Sequence, residues 1–219
     1  MLMGFGAEAF YINGRRSGAL VRETGGGALR TTVAFLLPDG HLVHLTQETQ
    51  YEGDVLGWTS YRYVDSGSDV DITGFPADHA ERAGPRPVPS YAAHLLLVQA
   101  LRAGKDRVAF SQFIEDGDGR ALGAVFAVRG RETVDTPWGR HEALKVLLEV
   151  EGERRNTFWW DGETVVRTDW QGGISYAARN LPLLLSGLDP RVRSALNPVL
   201  PPPARSDRRT GSGGAGALG

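Results

Sequence analysis

The feature that most limits this chain is its turn punctuation. Asn13-Gly14 is a strong hairpin signal, because a type I′ turn needs positive φ at both central residues. Pro38-Asp39-Gly40, Ser66-Gly67-Ser68, Asp116-Gly117-Asp118-Gly119, Pro137-Trp138-Gly139 and Asp161-Gly162 follow at short intervals. Between them the side chains alternate. Leu29, Thr31, Val33, Phe35 and Leu37 share one face of a strand. Leu144, Val146, Leu148 and Val150 share a face of another, with Lys145 and Glu149 opposite. Frequent turns separated by alternating runs predict an antiparallel meander.

About eleven strands are expected. Six lie around Phe5–Ile12, Ser17–Thr24, Ala28–Leu37, His41–Gln50, Asp54–Val64 and Asp69–Phe75. Five lie around Arg107–Glu115, Ala121–Thr133, Arg140–Glu151, Arg154–Trp160 and Thr164–Trp170. One helix interrupts them, over residues 90–103. Ser90 is its expected N-cap and Gly104 its C′ glycine, with Tyr91, His94, Leu95, Val98 and Leu101 on one stripe. Asp189-Pro190 predicts a short C-terminal helix to about Leu196. The expected fold is mainly β: one domain over residues 1–197, a single curved antiparallel sheet or incomplete barrel. The helix at about 90–103 covers its concave face. Residues 198–219 read as a disordered Pro/Gly/Arg tail.

Composition narrows the function. At 41% hydrophobic and 23% charged, the 219 residues can bury a sizeable core. The net charge of −2 and the scattered arginines speak against nucleic acid as a partner. There is no cysteine for disulfides or thiolate chemistry. Apolar runs such as Leu95–Val98 are far too short to span a bilayer, so no transmembrane segment is expected. MLMGFGAEAF has no signal-peptide pattern, which predicts a cytoplasmic protein, or a periplasmic or envelope one if a leader is missing.

No catalytic motif stands out. Asp116-x-Asp118-x-Arg120 opens like a calcium loop but has Ala127 where the last carboxylate ligand should stand. His41 and His44 point to opposite strand faces. His94 reads as a packed core histidine. Gly25-Gly26-Gly27 leads into a strand instead of a helix, so it is not a phosphate cradle. A hydrolase would need two or more of His141, Glu142, Asp161, Glu163 and Asp169 to meet in a pocket. No metal or cofactor is expected.

The late strands carry the functional signal. Phe126, Val128, Leu144, Val146, Leu148, Val150, Phe158, Trp160, Val166 and Trp170 fall at even positions and form one expected apolar surface. Trp159 points the other way, and Trp138 caps the strand pair at the mouth of the sheet. The expected ligand-binding residues are Phe126, Leu144, Val146, Leu148, Phe158, Trp160 and Trp170, with Tyr91 and Leu95 from the helix. The partner would be a lipophilic small molecule. Two alternatives stay open: a structural or interaction protein with a filled core, and a hydrolase using paired carboxylates.

TPWGRHEALKV, followed by TFWWDG and VVRTDW, resembles the DUF3108-type domains of bacterial envelope and uncharacterised proteins. AFYINGRRSGAL resembles that family's opening hairpin. The family is in turn similar to lipoprotein carriers of the LolA and LolB type. The resemblance implies a curved, incomplete antiparallel barrel with helices over the opening, and no catalytic residues.

Overall fold

The computed structural model describes residues 4–79 and 86–200. Its first meander runs β1 (Gly4–Ile12), β2 (Arg15–Gly25), β3 (Ala28–Leu36), β4 (Leu42–Tyr51), β5 (Trp58–Asp65) and β6 (Val70–Gly74). The two-residue β7 (Val88–Pro89) and helix α1 (Ala93–Arg102) follow. The second meander runs β8 (Arg107–Phe113), β9 (Leu122–Thr136), β10 (Gly139–Val150), β11 (Glu153–Trp160), β12 (Val165–Asp169) and β13 (Ile174–Ala177). All thirteen strands form one sheet, ordered β6-β5-β4-β3-β2-β1-β13-β12-β11-β10-β9-β8-β7. Only β7 and β8 pair in parallel. The eleven expected strands are all present. β7 and β13 are additional, and β13 matters most: it pairs with β1 from Glu8↔Ala177 to Tyr11↔Ile174 and so joins the two meanders.

The turns obey the expected chemistry. Asn13 and Gly14 have φ of 50° and 72°, as a type I′ turn requires. Gly26-Gly27 and Glu151-Gly152 turn in the same way, with both φ positive. Gly14→Ala should therefore cost about 1 kcal/mol in urea denaturation, because alanine resists that φ. Gly6→Ala, in a strand where an added Cβ meets nothing within 4 Å, should not.

The two faces of the sheet are covered differently. On the outer face, Ala9, Ala19 and Ala34 are fully buried. Their small side chains let α2 (Leu181–Leu185) and α3 (Pro190–Leu196) pack close, through Leu184, Val192 and Leu196. Asp189 caps α3 by accepting from the Arg191 amide at 2.9 Å, as the Asp-Pro pair predicts. Val199 is buried in the same cluster, so the packed chain runs past residue 197. Residues 201–219, most of the expected tail, lie outside the described residues. On the inner face, residues of β3, β4 and β5 share one core with residues of β8 to β12 and with Ala93, Leu96 and Leu97 of α1. One sheet whose far strands share a core must curl, and this one is a half-open barrel with α1 inside.

The helix differs in detail from expectation. Residues 90–92 form a 3-10 turn and α1 begins at Ala93. Ser90 is not a cap acceptor; its hydroxyl donates to Glu115 at 2.6 Å. The most buried stripe is Ala93, Leu96, Leu97 and Ala100, not the one containing Leu95, Val98 and Leu101. Those three are only partly buried, so the helix is apolar nearly all round.

The barrel's seam holds without strand pairing, since β6 and β7 are the sheet's ends. Aromatic rings bridge it. Trp58 and Tyr61 from β5 lie 5.7 Å and 5.2 Å from the Phe113 ring of β8. His79 stacks on Phe113 at 3.9 Å. The Trp58 indole N–H donates to the Pro87 carbonyl at 2.8 Å, and the Tyr63 hydroxyl to Asp116 at 3.3 Å.

A candidate ligand cavity in the concave face

Curling the sheet leaves a cavity of about 760 Å³ at one end of the barrel, beside the start of α1. Phe10, Leu20, Val33, Phe35 and Leu45 wall it from the first meander. Leu122, Phe126, Leu148, Val150 and Phe158 wall it from the second, with Trp170 just after β12. The pairings explain the wall. Phe126 stands opposite Leu148, and Leu20 opposite Val33, which stands opposite Leu45. Exposed residues, among them Ile114 and Arg155, lie at its rim.

Buried and half-buried polar side chains line the cavity as well: Arg22, His94, Gln112 and Glu115. Arg22 is 8% exposed, Gln112 5% and Glu115 3%. Arg22 donates to Glu8, and Glu8 also accepts from the Ser175 hydroxyl. That hydroxyl accepts from the Trp170 indole at 2.9 Å, so a tryptophan of the cavity wall is tied to the buried ion pair. Three buried polar atoms here have no partner among the described residues: Arg22 Nε, His94 Nδ1 and Gln112 Oε1. Arg22 and His94 also border a second space of about 210 Å³ along α1, so they separate the two.

Burial pushes the Glu115 carboxyl up to about 7, against the Ser90 hydroxyl and Tyr91 amide that donate to it. Burial also holds the His94 imidazole well below its ordinary value, and nearby Arg22 adds to this. The two groups act oppositely on stability. Unfolded Glu115 loses its proton near 4.5 while the folded group keeps it, so its stabilisation is lost as pH rises from 4.5 through 7. Unfolded His94 takes a proton near 6.5 while the folded ring does not, so stability is lost as pH falls below 6.5. Between roughly pH 5 and 6.5 the slopes oppose, each about 1.4 kcal/mol per pH unit at most. Glu115→Gln should then leave a protein that gains stability with rising pH over that window. His94→Gln should leave one that loses it. Denaturant midpoints at three pH values test both, and unchanged slopes in the two variants would refute the assignment.

Of the nine residues expected from sequence to bind ligand, Tyr91, Phe126, Leu148, Phe158 and Trp170 line the large cavity. Leu95 and Trp160 line the smaller one. Val146 is enclosed in the core, and Leu144 packs partly buried against it. The even-face pattern breaks at a bulge between Trp159 and Trp160, which sets Trp160 opposite Val165. Val165 therefore joins the inner core, while Val166 turns outward with Trp159. Trp159 points out as expected and donates to Glu132 at 2.6 Å. Trp138 does not sit at the mouth; it packs among the outer-face residues. The whole first-meander wall and the polar lining residues went unpredicted, although the face shared by Val33 and Phe35 was visible.

The residues a hydrolase would use stand elsewhere. His141 Nδ1 lies 3.5 Å from Asp161 Oδ2. Glu142 accepts from the Thr133 hydroxyl, and Asp169 from the Gln171 amide at 3.1 Å. Glu163 borders the smaller space. Asp118 accepts from the Arg120 amide at 2.9 Å within its own turn. Among the described residues no group of three His, Asp or Glu side chains is placed to hold a metal ion, and no helix is long and apolar enough to cross a membrane.

No protein-family model matches the chain, and no curated protein matches it. Among solved structures it is similar to a β-barrel-like protein of the domain of unknown function DUF1849 from Brucella abortus. The identity is 12% and the TM-score 0.48, over 79% of this chain and 93% of that one.

Proposed function

We propose that the protein is a non-catalytic binding protein that holds a lipophilic, acyl-chain-like ligand in its concave face. The observation that carries this reading is the cavity of about 760 Å³ walled by apolar side chains from both meanders. Its size falls in the range of small-molecule sites. An open space of this kind favours binding over a purely structural role. The dispersed carboxylates outside it favour binding over hydrolysis. The sequence resemblance to DUF3108-type domains, and through them to LolA- and LolB-type carriers, points the same way.

Burial contributes about 0.8 kcal/mol per methylene, so a chain of roughly fourteen carbons supplies enough for a Kd on the order of micromolar after association costs. The purified protein is expected to carry lipid visible by native mass spectrometry. It should also bind an environment-sensitive fluorescent fatty acid. Leu45→Trp, which thrusts an indole from the wall into the space, should weaken that binding by about tenfold or more. Absence of both co-purified lipid and probe binding would overturn the reading.

A further inference from the structure

The charges around the cavity are matched unevenly. Four charged side chains line it: Arg22, Glu115, Asp116 and Arg155. Both arginines have acidic partners, Arg22 in Glu8 and Arg155 in Glu153 at 3.0 Å. The two carboxylates have neutral donors instead. Glu115 accepts from the Ser90 hydroxyl and the Tyr91 amide, Asp116 from the Tyr63 hydroxyl, and neither meets a cation among the described residues. Two tyrosine rings stand beside them, those of Tyr63 and Tyr91, with centroids 6.4 Å apart. These contacts gather Tyr63, Tyr91, Glu115 and Asp116 at one wall, where the turn before α1 meets β5 and the segment after β8. We propose, resting on the binding role above, that the ligand is a single-chain amphiphile with a positively charged ammonium head, held between Tyr63, Tyr91, Glu115 and Asp116.

That wall suits such a head in each of its parts. Aromatic rings attract a cation through the negative face of the π system, and carboxylates attract it through their charge. A quaternary ammonium has no N–H to satisfy, so it needs no free acceptor from Glu115, whose oxygens already accept. Burial pushes both phenols up, with Asp116 adding to this at Tyr63 and Glu115 at Tyr91, so the two rings stay neutral. A carboxylate head would meet Glu115 and Asp116 as like charges. Asp116 and its neighbour Ile114 are exposed, so the wall reaches the rim. The head can then keep part of its water, which limits the cost of holding a charge there. The alkyl chain has the apolar walls of Phe126, Leu148 and Phe158 to run along.

The test is equilibrium dialysis of the full chain against dodecyltrimethylammonium, dodecanol and dodecanoic acid, each alone and below its micelle-forming concentration. It is run at pH 8, above the Glu115 value of about 7, so that this carboxyl is ionised. The ammonium should bind about tenfold more tightly than the alcohol, and the acid no more tightly than the alcohol. Asp116→Asn and Tyr91→Leu should each lower the ratio of ammonium to alcohol affinity by about threefold or more. Tyr91→Phe, which keeps the ring, should preserve that ratio. A ratio of affinities is compared because simple damage to the cavity weakens both compounds alike. Equal affinity for ammonium and alcohol, a preference for the acid, or a ratio that neither Asp116→Asn nor Tyr91→Leu moves would overturn the head site while leaving the binding role standing. Failure of all three compounds to bind would overturn the head site and the acyl-chain reading together.

Discussion

Replacing Glu8 with leucine is expected to destabilise the protein by about 3–5 kcal/mol, because it strands the Arg22 guanidinium inside the barrel. Both side chains are under a tenth exposed, so water cannot replace the lost partner. Arg22→Met should cost a similar amount, since Glu8 then keeps only Ser175 as a donor among the described residues. The double variant Glu8→Leu/Arg22→Met should recover most of the loss. Two apolar residues at paired positions carry no desolvation penalty, and replacing a whole buried ion pair is often close to neutral. Urea denaturation of the four proteins gives the coupling. If the single losses simply add in the double variant, the pair is not an isolated buried ion pair.

The parts of this molecule that were legible in sequence are those set by neighbours along the chain. Asn13-Gly14 states its own turn, and the alternation in residues 29–37 states its own face. Strand β13 could not be read that way. Ile174–Ala177 is four residues long with a serine at its centre. It is a strand because β1, from the far end of the chain, offers an edge to it. A single sheet is expected from the sequence, but without β13 the strand that joins the meanders is not identified, and neither is the one space that Phe10, Leu20 and Val33 share with Phe126 and Phe158. The bulge at Trp160 is similar: nothing in FWWDGETVV marks the register shift that swaps Val165 for Val166. Polar residues misled for another reason. Arg22 and Gln112 sit at positions where alternation places inner residues, but a charged or amide side chain on a strand reads as solvated by default. His94 reads as a packed core residue in sequence, and the structure leaves it half-buried between the two spaces, with its Nδ1 unpartnered among the described residues.

The half-open barrel should also depend on one aromatic side chain. Trp58 is fully buried, touches Tyr61, His79 and Phe113, and anchors the Pro87 carbonyl. Those partners come from both sides of a seam across which the sheet makes no ladder. Trp58→Ala is therefore expected to cost about 3–5 kcal/mol, through the lost burial, the void left behind and the orphaned carbonyl. Trp58→Phe, which keeps a ring but not the N–H, should cost less than half of that. The location of the damage separates a seam from an ordinary core position. Amide hydrogen exchange should quicken in β5, β6 and β8, which flank the seam, and change little in β1 and β13 on the far side of the barrel. Uniform quickening through all strands would mean that Trp58 supports the fold as a whole and that the seam is held by something else.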